Sequence, residues 1–210
     1  MEHLKRAKKQ SSTKRKSNFS KDGKVKNYIK KDFPVSNVRR FLEPRPVVLI
    51  SSASEKTQNI MTLGWHMILG FDPSLVGCYI WDENYSYNII KKSKECVINI
   101  PTVDLAEQVV QIGNSSGREI DKFKAFNLTP LPAQKVKAPL IKECYANFEC
   151  KLIDTKLINR YNLFVFKVIK AHAAISPQFP KTIHYRGDGL FMIAGRTVKK
   201  YRDLFKPEML

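Results

Sequence analysis

The chain has little of what usually announces a function. Its 210 residues include four cysteines with no C-x-x-C pair among them, and four histidines that do not cluster near the cysteines. That spacing argues against zinc and against a redox dithiol. The neighbours of Cys78, Cys96, Cys144 and Cys150 are strand-like and apolar, which predicts buried free thiols and no metal site. No run reaches the roughly 18 to 20 apolar residues of a membrane-spanning helix. The basic N-terminus is not followed by an apolar stretch of leader type, so the expected location is cytoplasmic. No G-x-x-x-x-G-K-[ST] loop is present, and Gly187-Asp188-Gly189 lacks the third glycine and strand–helix context of a dinucleotide fingerprint. Gly113-Asn114-Ser115-Ser116-Gly117 matches G-x-S-x-G, but it follows an amphipathic helix where a nucleophile elbow needs a strand, so it reads as a helix stop and loop. No triad or paired carboxylates appear, and no catalytic side chain is assigned.

What is abundant is positive charge, and it is uneven. The net charge is +18, of which residues 1–31 carry +10, with 12 Lys/Arg against Glu2 and Asp22. Low apolar content and no periodicity make residues 1–32 a solvated basic tail. Such a stretch can bind nucleic acid by counterion release, a partner kept as an alternative although few aromatics accompany the charge. Residues 33–196 form the expected folded domain, and residues 197–210 a basic tail or short helix.

Within the domain, a short helix is expected over residues 36–42. Strands are expected over residues 46–54, 60–69, 75–81, 96–100, 145–152, 162–174 and 190–194. Helices are expected over residues 86–92 and 103–112, the second capped by Thr102 with Asp104 in its first turn. Strands and helices do not alternate regularly. The expected class is therefore mainly β (α+β), an antiparallel barrel with a few short helices.

The stretch 59–101 organises the functional reading. In the strand over residues 60–69, Met61, Leu63 and Trp65 share one face, and Thr62, Gly64 and His66 the other. Asn84, Tyr85 and Ser86 precede a short helix, whose N-terminal amides and a serine hydroxyl make an anion site; simple N-capping is the other reading. Apolar walls with polar ends suit a flat aromatic ligand carrying a phosphate.

Several segments in fixed order carry a resemblance. They are Glu43-Pro44-x-Pro46-Val47-Val48, Asn59-x-Met61-Thr62-x-x-Trp65, Tyr85-Ser86-Tyr87 with Ile89, and Asn99-Ile100-Pro101. Ser116-Gly117-Arg118-x-x-Asp121-Lys122-Phe123 and Glu143-Cys144-x-x-x-x-Glu149-Cys150 complete the set. Together the chain resembles the flavin reductase-like family, with an FMN-binding split β-barrel, over residues 33–196. The resemblance implies a homodimer with FMN near the subunit interface. The strand from Met61 through Thr62 and Leu63 to Trp65 and His66 would line the flavin ring. Asn84, Tyr85 and Ser86 would lie by the phosphate, and the loop from Asn114 to Lys122 and Phe123 would close over the cofactor. It also implies NAD(P)H as reductant and flavin reductase turnover, the alternative being an FMN-bound electron carrier. Where several relatives have an arginine ahead of the phosphate turn, this chain has Trp81-Asp82-Glu83. Phosphate binding then rests on Asn84, Ser86, the helix N-terminus and Lys122.

Overall fold

Strand β1 (Val48–Ala53) is buried at all six positions, because it is paired on both sides and covered on both faces. Alternation along the strand divides its side chains. Val48 and Ile50 enter a core inside the main sheet with Ile90, Phe164 and Phe166, while Leu49 enters a second core with Val109, Ile112 and Phe123. This computed structural model describes residues 45–177 and 179–209. The basic tail, the domain start near Phe33 and the helix expected over residues 36–42 lie outside the described residues.

The chain continues with β2 (Gln58–Leu63), β3 (His66–Gly70), β4 (Leu75–Tyr79), helix α1 (Tyr85–Ser93) and β5 (Glu95–Ile100). Helices α2 (Ala106–Gly113) and α3 (Lys122–Ala125) follow, then the two-residue strands β6 (Pro130–Leu131) and β7 (Leu140–Ile141). The long strand β8 (Ala146–Asp154), helix α4 (Ile158–Tyr161), β9 (Leu163–Ala173), β10 (Ile183–Gly187) and β11 (Leu190–Ile193) complete the order.

Seven strands form one sheet in the order β2-β1-β5-β8-β9-β4-β3, and every ladder in it is antiparallel. Its two edges are β2 and β3, which are consecutive in sequence and separated only by Gly64 and Trp65. A sheet whose outer strands are two residues apart must curl back on itself, and the result is a barrel split between β2 and β3. This corrects the single strand expected over residues 60–69. A straight segment cannot pair with β1 at one edge and β4 at the other, so the chain turns at Gly64-Trp65, where Trp65 O accepts from Tyr79 N at 2.9 Å.

Two other expectations change. The helix expected from residue 103 begins as a 3-10 turn, Val103–Leu105. Thr102 makes no capping bond; its hydroxyl pairs with Asp104 Oδ2 at 3.2 Å. The final strand has a partner that periodicity missed. β10 and β11 pair as a hairpin around Gly187, Asp188 and Gly189, all at positive φ. A glycine-rich turn tolerates that backbone; β-branched residues do not. All four cysteines are buried free thiols, and burial pushes the Cys144 thiol up to about 12. Among the described residues, no helix is long and apolar enough to cross a membrane.

Candidate functional site

Two cavities flank the point where α2 lies on β2. The contact is made by Thr62, whose hydroxyl donates to Val109 O at 2.6 Å and whose side chain faces Gly113. Thr62 and Gly113 line both cavities. The smaller has a volume of about 190 Å3 and is walled by Asn59, Met61, Asn84, Tyr85, Lys122 and the loop 115–118. The larger, about 560 Å3, lies between α2, Trp65 and the β10–β11 hairpin.

The smaller cavity is rich in donors. Lys122 opens α3, and Asp121 caps that helix through the amides of Phe123 and Lys124. This turns the lysine inward: it is only 5% exposed, and its Nζ donates to Ile112 O at 2.8 Å. Burial lowers its pKa to about 8, because the charged form loses hydration. Arg118 reaches in from the loop. Its guanidinium donates to Glu83 O at 3.2 Å and lies over the Tyr85 ring at 5.4 Å. Helix α1 begins at the same wall, with Asn84 as an N-cap that makes no side-chain capping bond and with no acidic residue in its first turn. Unpaired amides at a helix start favour anions.

The loop is held close by a glycine. A Cβ on Gly117 would stand 2.1 Å from Asn59 Oδ1 and 2.7 Å from Tyr85 Cδ1, so only glycine permits this approach without displacement. Asn59 in turn donates to Ser86 Oγ at 2.8 Å, and Ser52 Oγ lies 3.2 Å from the same oxygen.

The structure brings together most of the candidates and relocates the others. Met61, Thr62, Asn84, Tyr85 and Lys122 line the smaller cavity, while Thr62, Trp65 and Asn114 line the larger. Leu63 faces the barrel core and lines neither cavity. The strand break separates His66 from Thr62, and its Nε2 lies 2.7 Å from Pro46 O, outside both linings. Burial is the main cause that lowers the His66 pKa, and the Arg45 charge adds to it against the Pro46 hydrogen bond. Phe123 sits in the helix-side core and borders a third, more polar space of about 810 Å3 beyond the loop. Ser86 is fully buried, and its hydroxyl is engaged by Asn59 and Ser52. Ser86 lines neither cavity, and in both of those bonds its oxygen is the acceptor.

Three contributions were not assigned from sequence. Arg118 supplies the positive charge that Trp81-Asp82-Glu83 lacks, from 35 residues away. Asp82 turns aside, accepting from Asn162 Nδ2 at 3.3 Å. The hairpin residues Tyr185 and Phe191, with Arg45, complete the larger cavity. The Gly187-Asp188-Gly189 turn between two apolar runs was a readable hairpin signal; nothing in the sequence indicated its position against α2.

Comparison with known proteins agrees with this architecture. The chain is 36% identical over 135 residues to a protein of Archaeoglobus fulgidus, covering 64% of this chain and 76% of that one. It is 30% identical over 173 residues to YddH of Escherichia coli, covering 76% and 92%. Among solved structures it superposes on flavoredoxin of Desulfovibrio vulgaris (Miyazaki F) with a TM-score of 0.68 at 22% identity, covering 74% of this chain and 89% of that one. The FMN-binding protein of Thermus thermophilus gives 0.70 at 21%, covering 83% and 98%. The fold shared with these structures is the split barrel. The profile of the flavin reductase like domain matches residues 39–189, and the chain belongs to the flavin reductase-like family.

Proposed function

We propose that the chain is an FMN-binding oxidoreductase. The phosphate end of FMN lies in the smaller cavity, and its ring end lies along Thr62, Gly64 and Trp65. The observation that carries this reading is the pairing of a buried lysine, Lys122, with Arg118 around the start of α1, beside a loop that only a glycine lets approach. That donor set fits a phosphate: two cations and helix amides against one acid in the lining, Glu83, with Asp82 turned away.

Bound FMN would supply the hydride and electron chemistry itself. The chain's own residues bind and orient. Lys122 holds a proton at Nζ close to the anionic end, and Arg118 stacks on Tyr85 and closes the mouth. Thr62 fixes α2 against β2, and Trp65 shields the ring side from water. NAD(P)H is the proposed reductant. Neighbours of similar fold support an oxidoreductase class, among them the 2-nitrobenzoate 2-nitroreductase of Pseudomonas fluorescens. A homodimer is part of the proposal. Edge strand β3 exposes Met67, Ile68 and Leu69, with Trp65 and Phe71 beside it, an apolar border of the kind a second subunit covers.

The test is a spectrum of the purified full-length protein after addition of FMN and gel filtration. Retained flavin absorbance is the expected result, and a colourless protein would overturn the reading. NADH or NADPH oxidation, with and without excess free flavin, then separates a reductase from a carrier. Light scattering at micromolar concentration should give twice the chain mass.

A further inference from the structure

Residues 195–208 are exposed at every position, and none of them enters the buried apolar clusters of the domain. The segment leaves the β10–β11 hairpin just after Ala194 N donates to Thr182 O at 2.8 Å. From there its backbone turns on itself. Arg202 N donates to Lys199 O at 3.0 Å, and Leu204 N and Phe205 N donate to Tyr201 O and Arg202 O at 3.1 Å. These are short helical turns, one of them the 3-10 turn Arg202–Leu204, and not a continuous helix. Four large apolar side chains, Val198, Tyr201, Leu204 and Phe205, are between 45% and 80% exposed there. So close a group of exposed apolar side chains marks an interaction site.

Their spacing is the informative feature. Positions 198, 201, 204 and 205 recur at i, i+3, i+6 and i+7. At roughly 3.6 residues per turn they fall in one stripe about 120° wide. Arg196, Lys199, Lys200, Arg202 and Lys206 fall on the opposite side with one acid, Asp203, a net charge of +4 over residues 196–206. Pro207 ends the pattern. So short a segment does not hold a helix alone in water, which is why only separate turns form. A surface that covers the stripe would supply the missing stabilisation.

We propose that residues 196–206 dock as an amphipathic helix on an anionic lipid surface. The apolar stripe enters the boundary between headgroups and acyl chains, and the cations meet the lipid anions. That occupant uses both halves of the pattern. A nucleic acid would take the cations and leave Val198, Leu204 and Phe205 in water. A second copy would bring the same +4 to a two-fold contact, where like charges repel. Residues 1–31, at +10, add attraction to the same surface. This docking is independent of the flavin reading, because no residue of the segment lines either cavity.

The experiment is co-sedimentation of the full-length protein with vesicles of phosphatidylcholine alone or with about 30% phosphatidylserine. Binding should favour the anionic vesicles about tenfold or more, with a gain in helical circular dichroism that neutral vesicles do not produce. Leu204→Ser with Phe205→Ser should weaken anionic binding about tenfold and abolish that gain. Lys199→Gln with Lys206→Gln should weaken it by a similar factor. All four positions are exposed, and an unchanged urea midpoint reports that each variant is folded. Equal binding to both vesicles, or binding to neither, would overturn the proposal. Anionic binding retained by both variants would sink it too, since residues 1–31 would then carry the contact. If vesicles are ignored and the double serine variant halves the mass in light scattering, the segment docks on a second copy and the lipid assignment fails. It fails equally if polyuridylate is bound while vesicles are not.

Discussion

Two regions beside the main sheet hold their polar side chains in opposite ways. Beside β5 and β8, the buried groups are acceptors and each is matched. Glu149, fully buried, accepts from the amides of Gln134 at 3.1 Å and Lys135 at 2.5 Å, and pairs with His172 Nε2 at 2.7 Å. Glu95 accepts from the Lys137 amide at 2.6 Å and pairs with Lys151. Asn99 accepts from the Ile141 amide, while its own amide group donates to Leu49 O and Val97 O. These contacts tie the segment 134–141 to the sheet. Beside β2 and α1 the groups are cationic donors, the buried Lys122 and the exposed Arg118, each with more N–H groups than the single carbonyl bond described for it. Buried acceptors saturated by backbone amides make a fastening; cationic donors with capacity left over make a receptor for an anion.

The strongest way to break that contrast is Glu149→Ala. It strands two amides and a histidine around a fully buried position, so the expected loss is about 3 to 5 kcal/mol in denaturant unfolding, with FMN retention per folded molecule unchanged. Burial by itself would raise the Glu149 pKa, but the hydrogen bonds from His172, Gln134 and Lys135 outweigh it and hold the carboxyl below its ordinary value. A depressed folded pKa contributes stability above the unfolded value and loses it as the pH falls through the folded one. The gap between wild type and variant should therefore be full at neutral pH and close below about pH 4. A gap that is constant with pH would show that the carboxylate charge is not what fastens the segment.

Lys122→Met should have the next largest effect, and on the opposite property. FMN affinity should fall by about 1.5 to 3 kcal/mol, roughly 10- to 150-fold, as one charge-assisted bond is lost. In the wild type, FMN binding draws on the protonated amine, whose pKa is lowered to about 8. Affinity should be level below that value and weaken above it, by up to about tenfold per pH unit. In the variant the dependence between pH 7.5 and 9.5 should flatten (roughly one proton's linkage removed). Equal pH profiles would remove Lys122 from the phosphate end.

Ser86→Ala sharpens the boundary between the two roles. Because its hydroxyl serves Asn59 and Ser52, the variant should lose about 1 to 2 kcal/mol of stability. FMN and riboflavin binding should weaken equally. A loss confined to FMN would mean that the hydroxyl reaches the phosphate after all.

Much of the frame was legible before any coordinates. Alternation in residues 145–152 and the apolar run at 162–174 located β8 and β9, because a half-buried strand must repeat every two residues. Met61, Thr62, Asn84, Tyr85 and Lys122 line one cavity, and each lies near the end of an element that the pattern could find. Leu63 and His66 lie outside both cavity linings, where the strand pattern had aligned them with Met61 and Thr62. A period-2 pattern continues through Gly64 and Trp65 although the chain leaves one sheet edge for the other, and periodicity carries no information about which neighbour a strand pairs with.

By itself, then, the sequence determined most strands of the main sheet, the buried thiols, the glycine-bearing loop and the family pattern. These depend on local chemistry and on apolar periods that the chain displays residue by residue. Only the tertiary structure decided that Arg118 reaches the Glu83 carbonyl at the start of α1, that Ser86 faces Asn59, and that Arg45 meets a hairpin about 140 residues away across an apolar cavity. Those facts arise from the curl that brings β2 and β3 together as the two edges of one sheet. Contacts across a closed sheet are set by its pairing order, which is a property of the whole chain and of no single stretch.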